Sequence, residues 1–504
     1  MARPCRLGLV AIAASTVLFC APQASAKNPA APTGPDQPLA DGCQRSDFGI
    51  GFDTSPEWVY VYRNTAIRQA QGLVRVAHPA KDDSVLEHDA YDANANLVVA
   101  KKFRYLLGGS QSAQTGNFAP DAEEGGRLHF EWESGTLPLF AWPTDGDRAT
   151  IWGSWIWDCG HWSTGPANIG GTIVGERTEL HPLNGIVVNR ASLSGPGKKN
   201  GRETDTFFSN QGTRAHAVEQ CALSHNPVPG GPYPQYDSGF GPCAQERSNR
   251  IQPLARSYKY LVPAPPKPSG GAKLRFKILN RVGGKSGSDK LKVKPNGLAV
   301  TTKVKRGTNP IQFGQSFFLW WTPNSAKPGT TFKVTLGSLR INQSDPDPIY
   351  GATTSPWNLY LDLNGSWTLL NTLVPQLGAV SDGETIPINK TLPVHAPNGS
   401  GLWLQVSGRE CDEPGGTTVL GIAANLVYPC PANTTEQNPN VFKLLSNDDT
   451  GTILDIFRSA KAALGTHSTT AQATVNFPHS GPISFGDGQQ GNGGYVLNYS
   501  VKKG

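Results

Sequence analysis

The sequence predicts an all-β protein. The expected form is two antiparallel β-sandwich-type domains with long disulfide-stapled loops and one short helix near residues 452–464. Three observations carry this reading. Short runs rich in β-branched and aromatic residues recur along the chain, as in Ile151–Trp157, Phe317–Trp321 and Leu402–Val406, and that composition suits a pleated, half-buried surface. Turn-forming clusters bound these runs, drawn from 57 Gly and 41 Pro in 504 residues. Only one segment, Thr452–Leu464, repeats its apolar residues at helical spacing. The 12 Trp, 13 Tyr and 19 Phe supply cores and argue against a disordered chain.

The elements follow in chain order. Residues 1–26 read as a secretory signal: Arg3 and Arg6 precede an apolar stretch that ends in the small-residue site Ala24-Ser25-Ala26. No later stretch offers 18 consecutive apolar residues, so no transmembrane segment is expected after signal cleavage. Residues 27–42 form a polar, proline-rich leader. Once Cys5 and Cys20 leave with the signal, Cys43, Cys159, Cys221, Cys243, Cys411 and Cys430 remain. An even set in an exported chain predicts disulfides. Proximity favours Cys221–Cys243 and Cys411–Cys430, with Cys43–Cys159 by elimination.

The run Val262-Pro-Ala-Pro-Pro-Lys-Pro-Ser-Gly-Gly271 marks the expected boundary between an N-terminal domain, 43–261, and a C-terminal domain, 272–504. Within the second, Asn364-Gly365 between two apolar runs predicts a two-residue hairpin. Ile453, Ile456, Phe457, Ala460 and Leu464 share one face of the expected helix, which Gly465 ends.

Formal net charge is +6, but the charge is unevenly spread. Between Gly271 and Arg306 stand eleven Lys or Arg and a single acid, Asp289. Lys290, Lys292 and Lys294 alternate with Leu291 and Val293, and Lys303 and Lys305 flank Val304. A pleated strand places such ammonium groups on one face and the apolar groups on the other. The partner that fits is an anionic glycan, a cell-envelope polymer or a lipid surface. No aromatic residue interleaves with the lysines of 290–305 for base stacking, so nucleic acid is not specifically indicated.

Three groups of residues carry possible chemistry. Asp158 and His161 follow a Trp-rich strand, and Glu179 and His181 share one face of another. If the two strands pair, these four offer imidazoles and carboxylates to a divalent metal such as zinc, with water activation as the reaction. His129, Glu131 and Glu133 share a strand face among six of the tryptophans. Glu131 and Glu133 there form a possible acid–nucleophile pair of a glycosidase. Asp345, Asp347, Asp412 and Glu413 lie in acidic turns, a carboxylate set suited to calcium.

Trp142-Pro-x-x-Gly-Asp-Arg148, Trp157-Asp-Cys-Gly-His161 and Thr178-Glu-Leu-His-Pro182 together resemble a signature of uncharacterised secreted bacterial proteins, over about residues 90–225. The resemblance implies one module and brings no activity with it. The second half is loosely similar to C2 sandwiches, through its acidic turns beside lysine-rich strands. No P-loop, nucleophile elbow or H-E-x-x-H is present. The expectation is a secreted binding or envelope-associated structural protein that engages an anionic surface. A metal-dependent extracellular hydrolase is the alternative.

Overall fold

The computed structural model describes residues 47–48, 52–53, 58–60, 67–79, 93–112, 114, 116–119, 125–132, 137, 139–158, 168–169, 172–173, 177–191, 201–209, 257–282, 287–305, 312–322, 330–344, 354, 357–396, 401–410, 450–472, 474–477, 481–484 and 494–504. The expected signal and leader segments, Cys43, Cys159, Cys221, Cys243, Cys411, Cys430, Glu133, His161, Asp345, Asp347, Asp412 and Glu413 lie outside them, as does the side chain of Asp158. The described chain is all-β, with strands in mostly antiparallel sheets and only short helical turns.

Five strands of the first half close on themselves: β1 (Arg68–Pro79), β2 (Ala93–Val99), β3 (Leu128–Trp132), β4 (Arg148–Asp158) and β5 (Thr178–Ala191). β1 pairs with β2, β2 with β3, β5 with β4 and β4 with β1, all antiparallel, while β3 and β5 run parallel. The ring order 1-2-3-5-4 is that of the OB-type Greek-key barrel. The described strands of this half therefore close into a barrel within the expected all-β class. Alternation decides what fills it. Ala93, Ala95 and Leu97 of β2, Leu128, Phe130 and Trp132 of β3, and Leu180 of β5 point into one fully buried cluster.

β5 has a second role. Two register shifts, between Leu180 and Leu183 and between Leu183 and Gly185, separate its first part, which pairs with β3, from its later part, which stays paired with β4 but no longer with β3. Gly153 of β4 faces the shift, where a Cβ would stand 2.7 Å from Leu183 Cδ2 and 2.9 Å from the Pro182 carbonyl oxygen. Beyond it, β5 pairs with β6 (Arg202–Ser209). The sheet continues through β11 (Gln312–Thr322) to β8 (Lys273–Val282). Strands from beyond the Pro/Gly run thus extend the first half's sheet, so the expected cut at 262–271 is not a sheet boundary. Proline and glycine stop pairing locally, but they do not prevent later strands from returning.

Two further layers complete the architecture. β7 (Tyr258–Pro263), β10 (Gly297–Val304) and β9 (Gly287–Lys294) form a three-stranded sheet. Its underside, including Tyr258, Tyr260, Leu298 and Val300, packs on Phe208, Phe313 and Phe317 of the large sheet.

The described strands from residue 330 onward, apart from Thr474–Phe477 and Gly481–Ser484, form a sandwich. One sheet is β15-β12-β19-β18 (Thr385–Ala396, Thr330–Gln343, Gly494–Lys503, Gly465–Thr470). The other is β14-β13-β16-β17 (Ser366–Leu369, Trp357–Leu363, Leu402–Glu410, Ile453–Phe457). Leucines and valines from both sheets enclose the second core. On the outer face of the second sheet, Trp403 joins the barrel's own cluster, with Tyr360, Leu454 and Ile456 packed beside it.

The helix expected over 452–464 is one turn, α1 (Ala460–Ala463), capped by Ser459; the residues before it are β17. Ile453, Ile456 and Phe457 suit either period, and pairing with Leu402–Val406 settles them as a strand.

Candidate functional site

The parallel register of β3 and β5 sets Glu179 beside His129. Residues two apart on each strand complete a block on the barrel's outer wall, His129 and Glu131 on β3, Glu179 and His181 on β5. Acid and base alternate in it like a checkerboard. His129 Nε2 lies 2.8 Å from Glu131 Oε1 and 4.0 Å from Glu179 Oε2. His181 Nδ1 lies 3.3 Å from Glu179 Oε1, and its Nε2 lies 3.5 Å from Glu131 Oε2. The four side chains are only 5–11% exposed, so their charges interact in a poorly solvated setting.

The neighbouring strand supports the block. Asn96, opposite His129, places Oδ1 2.9 Å from His129 Nδ1. Asn94, opposite Glu131, donates to Glu131 Oε1 at 3.1 Å. Burial lowers the Arg177 guanidinium to about 10, against the opposing influence of Glu179.

Sequence reasoning had Glu179 and His181 in one candidate set and Glu131 in another; the fold merges them. Strands β4 and β5 do pair as expected, but the residue opposite Glu179 is Ile156. Asp158 pairs its backbone with Trp58. His129 was visible only as a strand-face companion of Glu131.

The lysine strands lie where alternation put them. On the three-stranded sheet, Lys290, Lys292 and Lys294 of β9 are exposed, as are Lys303 of β10, Lys305 just beyond it and Lys259 of β7. Lys290 and Lys259 both stand opposite Thr301, and Lys292 opposite Ala299, so small residues separate the rows. Asp289 points the other way. It accepts from Thr302 Oγ1 at 2.6 Å and from Gln315 Nε2 at 3.0 Å, and Arg281 pairs with it at 2.9 Å.

A third cluster had no sequence signal. Glu203 and Asp205 of β6, Asp362 of β13, Asp147 and Arg190 of β5 are all buried where the large sheet meets the sandwich. Arg190 lies 3.3 Å from Asp147 and 3.9 Å from Asp205. Burial raises the Glu203 and Asp362 carboxyls well above the usual range, and their mutual charges with Asp205 add to it. Asp205 is raised by burial to about 6, while Arg190 and a bond from Ser316 oppose the rise. These residues are spread from 147 to 362, which no local pattern could have joined.

No family model matches the chain, and no curated protein matches it. Among solved structures, Extended-Synaptotagmin 2 (SMP, C2A and C2B domains) aligns at 8% identity over 89% of each chain with a TM-score of 0.18. A likeness so slight carries no argument, and the fold rests on the pairings described above.

Proposed function

We propose that this chain is an exported binding protein that engages a polyanion, whether anionic glycan, cell-envelope polymer or lipid surface, through the outer face of β7, β10 and β9. The observation that carries the reading is the sorting of charge across that sheet. Its lysines face outward, while the one acid of the segment is turned under and paired with Arg281. Side chains on one strand face repeat every ~6.7 Å, so the lysines form rows suited to a chain of repeating anions. The large sheet backs the face rigidly, so little ordering cost falls on binding.

The test is affinity for an immobilised anionic polysaccharide and for anionic vesicles as salt is raised. Affinity is expected to fall steeply with ionic strength. The triple substitution K290S/K292S/K294S should weaken binding by roughly 100-fold, taking about 1 kcal/mol per lysine near an anionic surface. Retention that ignores both salt and the substitutions would reject the proposal.

A further inference from the structure

We infer that His129, Glu131 and Glu179, backed by His181, form a site for one divalent transition ion of the zinc class on the outer wall of the barrel. Three arguments converge on it. The first is donor chemistry. Imidazole nitrogen with carboxylate oxygen is a zinc-type set, whereas calcium takes six to eight oxygens. Two carboxylates also balance a divalent charge when both imidazoles are neutral.

The second argument is size. Ligand bonds of about 2.0–2.2 Å place neighbouring donor atoms about 3.3–3.6 Å apart around a tetrahedral ion. In the three-residue set, His129 Nε2 stands 2.8 Å from Glu131 Oε1 and 4.0 Å from Glu179 Oε2, on either side of that value, while His181 meets the two carboxylates through its two different ring nitrogens and stands behind the set. One donor atom each of His129, Glu131 and Glu179 lies within 4.8 Å of the others.

The third argument is support. A ligating histidine usually donates its other ring N–H to an acceptor, which fixes the tautomer. The Asn96 carbonyl oxygen occupies that position for His129, so a proton held on Nδ1 would leave the Nε2 lone pair for the ion in place of the present Nε2–Glu131 contact. The Asn94 amide holds Glu131 from the same strand. His181 lies against both carboxylates, with Nδ1 3.3 Å from Glu179 and Nε2 3.5 Å from Glu131, and as a neutral ring it donates to one of them. All of these side chains sit on paired strands rather than loops, which favours a preset geometry.

The competing arrangement is a metal-free quartet in which the histidines carry protons and pair with the glutamates. The test uses the purified full chain, stripped with chelator and titrated with Zn²⁺ and, separately, Ca²⁺, reading bound metal by elemental analysis and melting temperature by circular dichroism. One Zn²⁺ per chain is expected, with Tm rising on addition and falling again with chelator. The double variant H129Q/E179Q should take up no zinc and show no zinc-dependent Tm. Asn96→Leu should weaken zinc binding about 10–100-fold, and Asn96→Asp, which keeps the acceptor, should not. Should the double variant fail to fold, the Asn96 pair and the wild-type Tm response decide alone. Absence of saturable zinc uptake, uptake of Ca²⁺ in preference to Zn²⁺, or equal effects of Asn96→Leu and Asn96→Asp would overturn the site.

Discussion

Arg190 is buried, and four acids surround it: Asp147, Asp205, Glu203 and Asp362. One guanidinium cannot neutralise four buried carboxylates, so protons must make up the difference, and stability then depends on pH. A carboxyl whose folded pKa is raised binds its proton more tightly when folded. Its contribution is complete below the unfolded value and is lost as pH rises through the folded one. For Asp205 that window runs from 3.8 to about 6, and Glu203 and Asp362 extend it upward. Urea midpoints should therefore fall as pH climbs from 4 to 8. Glu203→Gln, which removes one ionisable group at little change of shape, should flatten that slope and raise the midpoint at pH 8. Arg190→Met should cost about 3–5 kcal/mol, because it leaves buried charge uncompensated. A slope unchanged in Glu203→Gln would count against this account.

Among elements, the β13–β14 hairpin shows how local signals and distant contacts combine. Asn364 and Gly365 have φ of 51° and 83°, the left-handed pair that the Asn-Gly dipeptide predicts. The turn is wedged against another element: a Cβ on Gly365 would stand 2.8 Å from Leu279 Cδ1 and 3.2 Å from the Glu203 carboxylate. Gly365→Ala should destabilise by roughly 1–3 kcal/mol, through strain and crowding together. Chemical denaturation measures it, and an unchanged midpoint would show that the turn has room. Alternation made the lysine strands legible, since β9 and β10 need only period two to sort their faces. The checkerboard was half legible. Each strand announced its own pair, but their meeting depends on a parallel pairing between strands about fifty residues apart. The helix misreading at 453–457 has the same root: a five-residue apolar run satisfies both periods until a partner strand chooses.

For the whole molecule, Trp403 matters most. It belongs to a strand of the sandwich yet lies 1% exposed inside the barrel's cluster. The sheet also crosses the Pro/Gly run, because β6 of the first half pairs with β11 and, through it, β8 of the second. The described parts should therefore melt in one cooperative transition, seen together by near-ultraviolet circular dichroism and tryptophan fluorescence. Two well-separated transitions divided near residue 271 would restore the boundary that composition implied. The all-β class was readable from composition because it depends on local pleating. Ring closure and layer order were not, since they are set by which distant edges find each other.

β5 runs from the checkerboard at one end to Arg190 at the other on a single length of backbone. Sliding that strand by one residue would exchange its two faces, driving Glu179 and His181 into the apolar interior while pulling Arg190 away from its acids. Each end thus polices the alignment of the other, and a misthreaded barrel would be penalised twice.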